Sequence, residues 1–119
     1  MIIRLTLTFQ TIPADLAAKG YVSQTCVDFS PVVVKMMSER HQNIDGIEWI
    51  CADVRNMTNI PDKSIDIAFD KGTLDAMIHG SPWSPPESVV QNTGEYIKEV
   101  CLPLVHRDLN AKWDRLCVY

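Results

Sequence analysis

The sequence has no hydrophobic run long enough to cross a membrane and no cluster of basic residues. A membrane span needs about 20 mostly apolar residues in succession, and binding to nucleic-acid phosphates needs grouped lysines and arginines. The formal net charge is instead −4. Segment 1–10 is apolar but lacks the charged lead and small-residue cleavage site of a signal peptide. We therefore expect neither a membrane nor nucleic acid as a partner.

Paired cysteines are also missing. The four cysteines lie far apart without a Cys-x-x-Cys pair, and the three histidines add no metal-ligand spacing to them, so a zinc site is not expected. Cys26 and Cys51 each lie in an apolar, strand-like run, where a small buried thiol is the usual interpretation. The sequence thus predicts a reduced, cytoplasmic protein without a metal site.

Strand-like and helix-like segments alternate along the chain. Apolar and β-branched runs predict strands at 2–9, 21–27, 47–51 and 65–69, and capped periodic runs predict helices at 12–19, 31–41 and 87–102. This order is typical of one α/β domain with a parallel sheet, here spanning residues 1–119. Residues 115–119 are expected to add a short strand at the edge of that sheet.

Proline and glycine mark the helix ends. Thr11 is expected to cap the first helix, with Pro13 in its first turn and Gly20 just beyond its end. Ser30 and Pro31 open the second helix in the same way.

Three of the predicted strands end in an acid, at Asp28, Asp53 and Asp70. In open α/β sheets the ligand crevice lies beyond the carboxyl ends of the strands, so all three face one potential site. A carboxylate after the second strand suits a ribose diol because it accepts two hydroxyl hydrogens. The alternative is that acids end strands simply because they favour turns. Three together favour a nucleoside-type ligand.

Three motifs then resemble one known family. The string Asp70-Lys71-Gly72-Thr73-Leu74-Asp75-Ala76 is similar to a signature of methyltransferase-like proteins that modify lysines of translation elongation factor 1A. Residues 26–34 and 51–55 resemble that family's motifs at the second and third strands, in the family's order, within a resemblance covering residues 11–100. The resemblance implies a three-layer, Rossmann-like class I fold with S-adenosylmethionine as cofactor. It also implies a protein substrate, with an elongation factor as the candidate.

The resemblance also implies roles for individual residues. Those expected to bind the cofactor are Asp28 at the ribose, Phe29 near the adenine, Asp53 at the adenine amino group, Val54 through its backbone and Lys71 at the methionine end. Those expected to orient the acceptor lysine are Asp70, Thr73 and Asp75. Three alternatives stay open: Lys71 forms a structural ion pair, Asp75 caps a helix, and Trp83 either faces the substrate or anchors its proline-rich loop.

Two segments depart from the family pattern. The family binds the methionine end of the cofactor with a glycine-rich turn after its first strand, but residues 8–11 contain no glycine. Residues 103–110 fit no element of the family. These departures predict a partial domain, as a frameshift or an altered splice junction would leave. The leading interpretation is a lysine methyltransferase, and the alternative is an inactive remnant that acts as a binding protein or a mere fragment.

Overall fold

A computed structural model describes residues 11–70, 72–78, 80 and 83–101, with the backbone of residues 116–118. The strand predicted at 2–9, the turn after it and Lys71 lie outside the described residues, as does segment 103–110.

Eight elements occur in the described part of the chain. The helices are α1 (Ile12–Ala18), α2 (Pro31–Arg40), α3 (Thr73–Met77) and α4 (Glu87–Cys101), and the strands are β1 (Gln24–Asp28), β2 (Ile47–Cys51), β3 (Ile67–Phe69) and β4 (Leu116–Val118). The predicted helices and strands within the described residues are confirmed to within a few residues at each end. The short helix α3 was not predicted. Among the described residues, no helix has the length and apolar character needed to cross a membrane.

The four strands form one parallel sheet in the order β2-β1-β4-β3. The predicted edge strand near the C-terminus is therefore in the wrong place, because β4 pairs with β1 on one side and β3 on the other. Asp28 pairs with Cys51 at the carboxyl ends of β1 and β2, the edge of the sheet where the ligand crevice is expected.

Successive side chains of a strand point to opposite faces of the sheet, so the apolar residues form two separate cores. On one face Val27 joins a buried cluster with residues of α4 and of the segment between β2 and β3: Val54, Met57, Ile60, Ile65 and Tyr96. On the other face its neighbour Cys26 packs with Met37 of α2 and with Ile12 and Leu16 of α1. The period of two that a strand imposes thus builds the expected three layers, with helices on both faces.

Two of the predicted helix ends have the expected hydrogen bonds. Ser30 caps α2, its Oγ accepting from the backbone nitrogen of Val33 at 3.4 Å. After α1, Gly20 has φ +93° and the N–H of Tyr21 bonds the carbonyl of Leu16, which is the Schellman arrangement. Thr11 occupies the predicted N-cap position of α1, but its backbone is helical and its side chain makes no capping hydrogen bond.

The two cysteines predicted to be buried differ. Cys26 is fully buried, as expected. Cys51 is exposed, and its prediction is wrong because it ends β2, the strand at the edge of the sheet order. Its thiol lies 3.6 Å from the carbonyl oxygen of Phe29.

Candidate functional site

A cavity of about 300 Å³ lies near the carboxyl ends of β1 and β2. The described residues that line it are Phe29, Asp53, Val54, Arg55, Met77 and Asn92. Its volume is at the lower end of the range for small-molecule sites. Three predicted cofactor residues, Phe29, Asp53 and Val54, are thus brought together here.

The walls of this cavity are partly apolar because of where their residues fall in the fold. Phe29 follows β1 directly and leaves 64% of its surface exposed, which is unusual for an aromatic side chain. Val54 is buried in the core below, and Met77 is the last residue of α3. An uncovered ring beside two aliphatic walls suits a flat, partly apolar ligand.

Asp28 lies beside Phe29 in sequence and is buried, with 4% of its surface exposed. Its Oδ1 accepts a hydrogen bond from the backbone nitrogen of Ser30 at 2.8 Å, so the carboxylate helps to start α2. Its role at a ribose stays a prediction.

Asp53 and Arg55 form the strongest polar pair at the cavity. The Nη2 of Arg55 lies 2.6 Å from Oδ2 of Asp53, and its Nε lies 3.0 Å from Oδ1. The backbone nitrogen of Arg55 donates to Oδ1 as well, at 2.9 Å. The side-chain hydrogen bonds from Arg55 hold the pKa of Asp53 below its usual value. Asp53 is therefore an ionised acceptor at neutral pH.

Arg55 also reaches α4. Its Nη1 donates to Oδ1 of Asn92 at 2.9 Å, which joins the loop after β2 to that helix. No role for Arg55, Met77 or Asn92 was predicted from the sequence. Only Arg55 had a local signal, because it ends the third-strand motif two residues after Asp53.

The predicted catalytic acids lie on or beside α3. Both oxygens of Asp70 accept backbone hydrogen bonds, from Thr73 at 2.7 Å and from Leu74 at 2.8 Å. Gly72 precedes α3 with φ +91°, a conformation that favours glycine. The first residues of the motif therefore form the start of a helix, a structural role that was not predicted from the sequence.

The two other predicted catalytic residues differ in accessibility. Thr73 is fully buried, and its Oγ1 has no hydrogen-bond partner among the described residues. Asp75 is exposed in the first turn of α3. Asp75 is thus the more accessible of the two, and the catalytic roles of all three motif residues stay predictions.

Trp83 is 97% exposed. The alternative in which it anchors its loop to the surface is therefore wrong, because an anchor would be buried. Its contact with a substrate remains a hypothesis.

A parallel, three-layer α/β sheet with an acid-bearing cavity beyond its strand ends defines a domain of the nucleoside-binding type. The methyltransferase domain family matches residues 10–93, which is most of the chain, and the chain belongs to this family. Class I members of the methyltransferase domain family use S-adenosylmethionine as methyl donor.

Several relatives share the sequence over the same region. The chain is 37% identical over 93 residues to EEF1A lysine methyltransferase 4 of Mus musculus, covering 76% of this chain and 36% of the relative. The Bos taurus protein of that name is 35% identical over 88 residues, covering 72% and 34%. The eEF1A lysine and N-terminal methyltransferase homolog of Drosophila pseudoobscura pseudoobscura is 36% identical over 88 residues, covering 72% and 12%. The chain thus spans about a third of the mammalian relatives.

Proposed function

We propose that this chain is an S-adenosylmethionine-dependent methyltransferase that transfers a methyl group to a lysine of a protein. The observation that carries the proposal is the cavity at the strand ends, which combines an ionised acceptor, Asp53, with the exposed ring of Phe29. Membership of the methyltransferase domain family supports it independently.

The chemistry of the cavity fits the adenosine part of the cofactor. Phe29, Val54 and Met77 offer apolar surface to the faces of a planar base, and Asp53 accepts from its amino group. Asp28, at the end of β1, is proposed to accept hydrogen bonds from the ribose hydroxyls. Lys71 is proposed for the methionine end. When bound, the cofactor supplies an electrophilic methyl group on a sulfonium.

The protein's own task in catalysis is to position a neutral amine. A free lysine has a pKa of about 10.4 and is almost wholly protonated at neutral pH, so it must lose a proton in the site. Asp75 is exposed, and it is proposed to orient the incoming amine because both oxygens of Asp70 already accept backbone hydrogen bonds. Asp70 and Thr73 support it by fixing the start of α3, through the hydrogen bond from Thr73 to Asp70.

The substrate is proposed to be a translation elongation factor, because the relatives named above are described as eEF1A methyltransferases. Such a substrate supports the further proposal that the protein acts in the cytoplasm. The exposed indole of Trp83 is proposed as a contact for this protein partner, since large exposed aromatic groups are frequent in recognition surfaces.

Calorimetric titration with S-adenosylhomocysteine tests the cofactor site, and methyl transfer to purified elongation factor 1A tests the activity. We expect binding by the wild-type chain and a loss of about tenfold or more in Asp53→Ala, because a charged acceptor is removed. Asp62→Ala removes an exposed acid outside the described cavity wall and serves as the matched control. A folded chain that binds no S-adenosylhomocysteine contradicts the proposal and leaves a non-catalytic binding role.

A further inference from the structure

Helices α1 and α2 pack on the same face of the sheet. Ile12 and Leu16 of α1 and Met37 of α2 lie in one cluster with Cys26 of β1. After β1 the chain crosses this face through α2 and returns as β2, which pairs with β1 in parallel. Crossovers between parallel strands are almost always right-handed. On this face, a right-handed crossover therefore moves the chain in the direction from β1 to β2.

The same rule limits where a strand that precedes α1 can lie. The sequence predicts such a strand at residues 2–9, outside the described residues. A parallel strand that connects to β1 through α1 crosses the same face, so its crossover must move in the same direction. It then lies on the side of β1 opposite β2. The link to α1 is short, residues 10–11, which favours the position directly beside β1.

That position is held by β4. Leu116–Val118 pairs with residues 24–26 of β1 on the side opposite β2, and with β3 on its other side. One position in the sheet therefore has two candidate strands. We propose that residues 2–9 and β4 exchange in this position as alternative parallel strands. The exchange is a conformational switch, because each strand brings a different segment to the carboxyl edge of the sheet beside Asp28.

Each candidate strand has one advantage in this position. A strand between β1 and β3 faces both cores, because Val27 and Ala68 pack in one core and Cys26 and Ile67 in the other. The sequence of β4, Leu-Cys-Val, is apolar at every residue. Residues 2–9 alternate apolar with polar residues but form a longer run, which offers more backbone hydrogen bonds. Burial therefore favours β4 and hydrogen bonding favours residues 2–9, which is the condition for exchange.

The amide of Thr25 reports whether this position is filled. The N–H of Gln24 donates to the carbonyl of Gly46, on the β2 side. Successive N–H groups of a strand point to opposite neighbours, so the N–H of Thr25 points toward β4, where Thr25 pairs with Cys117. Hydrogen exchange at Thr25 therefore measures pairing in this position, and exchange at Gln24 measures the pairing of β1 with β2 as an internal control.

Proline substitutions in the full chain test the exchange, because proline has no N–H to donate and is excluded from interior strands. Leu5→Pro blocks residues 2–9, and Cys117→Pro blocks β4. We expect each single variant to keep the protection of Thr25, since the other strand fills the position. The double variant should lose this protection by at least about a hundredfold, because no strand remains. Leu5→Val and Cys117→Val keep the N–H and are the matched controls, alone and together.

Any other pattern overturns the proposal. Loss of Thr25 protection in Cys117→Pro alone shows that β4 is the sole occupant, and loss in Leu5→Pro alone shows that residues 2–9 are. Loss in both single variants shows that neither strand replaces the other. A double variant that keeps the protection shows that neither strand covers Thr25.

Glycine variants decide the question should a proline variant not fold, because glycine weakens an interior strand without removing its N–H. Cys117→Gly should then reduce the protection of Thr25 at least about tenfold more in a Leu5→Gly background than in the wild-type chain, since the two strands replace each other. Equal reductions in the two backgrounds overturn the exchange.

Discussion

The Oδ1 of Asp70 lies 2.7 Å from the backbone nitrogen of Thr73, so the first acid of the most specific motif caps the helix that this motif begins. Its other oxygen accepts from Leu74. Removing a capping side chain costs typically about 1 kcal/mol of stability. We therefore expect Asp70→Ala to lower the free energy of unfolding by that amount, and Asp70→Asn to lower it by less, in urea denaturation. A variant of unchanged stability that loses only turnover would show that catalysis is the main task of Asp70.

Gly46 is expected to tolerate no side chain. Its φ is +83°, and an added Cβ would lie 1.6 Å from the carbonyl oxygen of Val22. The backbone would have to move to relieve this clash. Gly20 also has a positive φ, of +93°, but an added Cβ meets nothing within 4 Å. Gly20→Ala should cost about 1–2 kcal/mol through backbone strain alone. Gly46→Ala should cost clearly more in the same urea titration, and equal costs would contradict the predicted clash.

Glu99 links α4 to the segment after β2 by a hydrogen bond. Its Oε2 accepts from the backbone nitrogen of Met57 at 2.7 Å, and Met57 is buried in the core. Glu99→Ala leaves that N–H without its acceptor and should cost about 1–3 kcal/mol in the free energy of unfolding. Glu99→Gln keeps an oxygen acceptor and should cost less. Glu95→Ala, at an exposed position of the same helix, is the control and should change little.

The pH dependence of Asp53 follows from its pairing with Arg55. The arginine's hydrogen bonds lower the pKa of Asp53 in the folded state below the ordinary value of 3.8. A carboxylate with a depressed folded pKa adds stability above the unfolded value, and that stability is lost as the pH falls through the folded value. The contribution is small, since both side chains are more than a third exposed. In an NMR titration, Arg55→Gln should raise the pKa of Asp53, and an unchanged value would contradict the pairing.

Asp75→Asn tests the proposed orientation of the acceptor lysine. The asparagine keeps the shape of the side chain but removes the charge that favours a nearby amine. We expect kcat for methyl transfer to elongation factor 1A to fall at least about tenfold while the affinity for S-adenosylhomocysteine changes little. Equal losses in both would indicate that Asp75 serves α3 instead, as an acid in the first turn of a helix does.

The parts of the fold that local sequence determines were predictable. Apolar runs bounded by capping residues marked β1, β2 and α2, and Gly20 marked the end of α1. The position of β4 was not predictable, because pairing between distant strands leaves no local signal. The buried side of α4 was not predictable either, because its apolar residues Val90 and Ile97 are exposed whereas Tyr96 is buried.

The candidate site also has features that were predictable from the sequence and features that were not. The acids after the strands were predictable, because the carboxyl ends of parallel strands share one edge of the sheet. The contact between Arg55 and Asn92 was not, since it joins residues 37 positions apart that carry no shared motif. The capping task of Asp70 was missed because α3 has only 5 residues, too few to show a helical period.

The interior place of β4 has a consequence for biosynthesis. Of the described strands, β4 leaves the ribosome last, yet it is the one that joins β1 to β3. Until it arrives, β1 and β3 each keep an unpaired backbone edge, and such edges invite pairing with other chains. The described sheet therefore closes only when β4 inserts between β1 and β3.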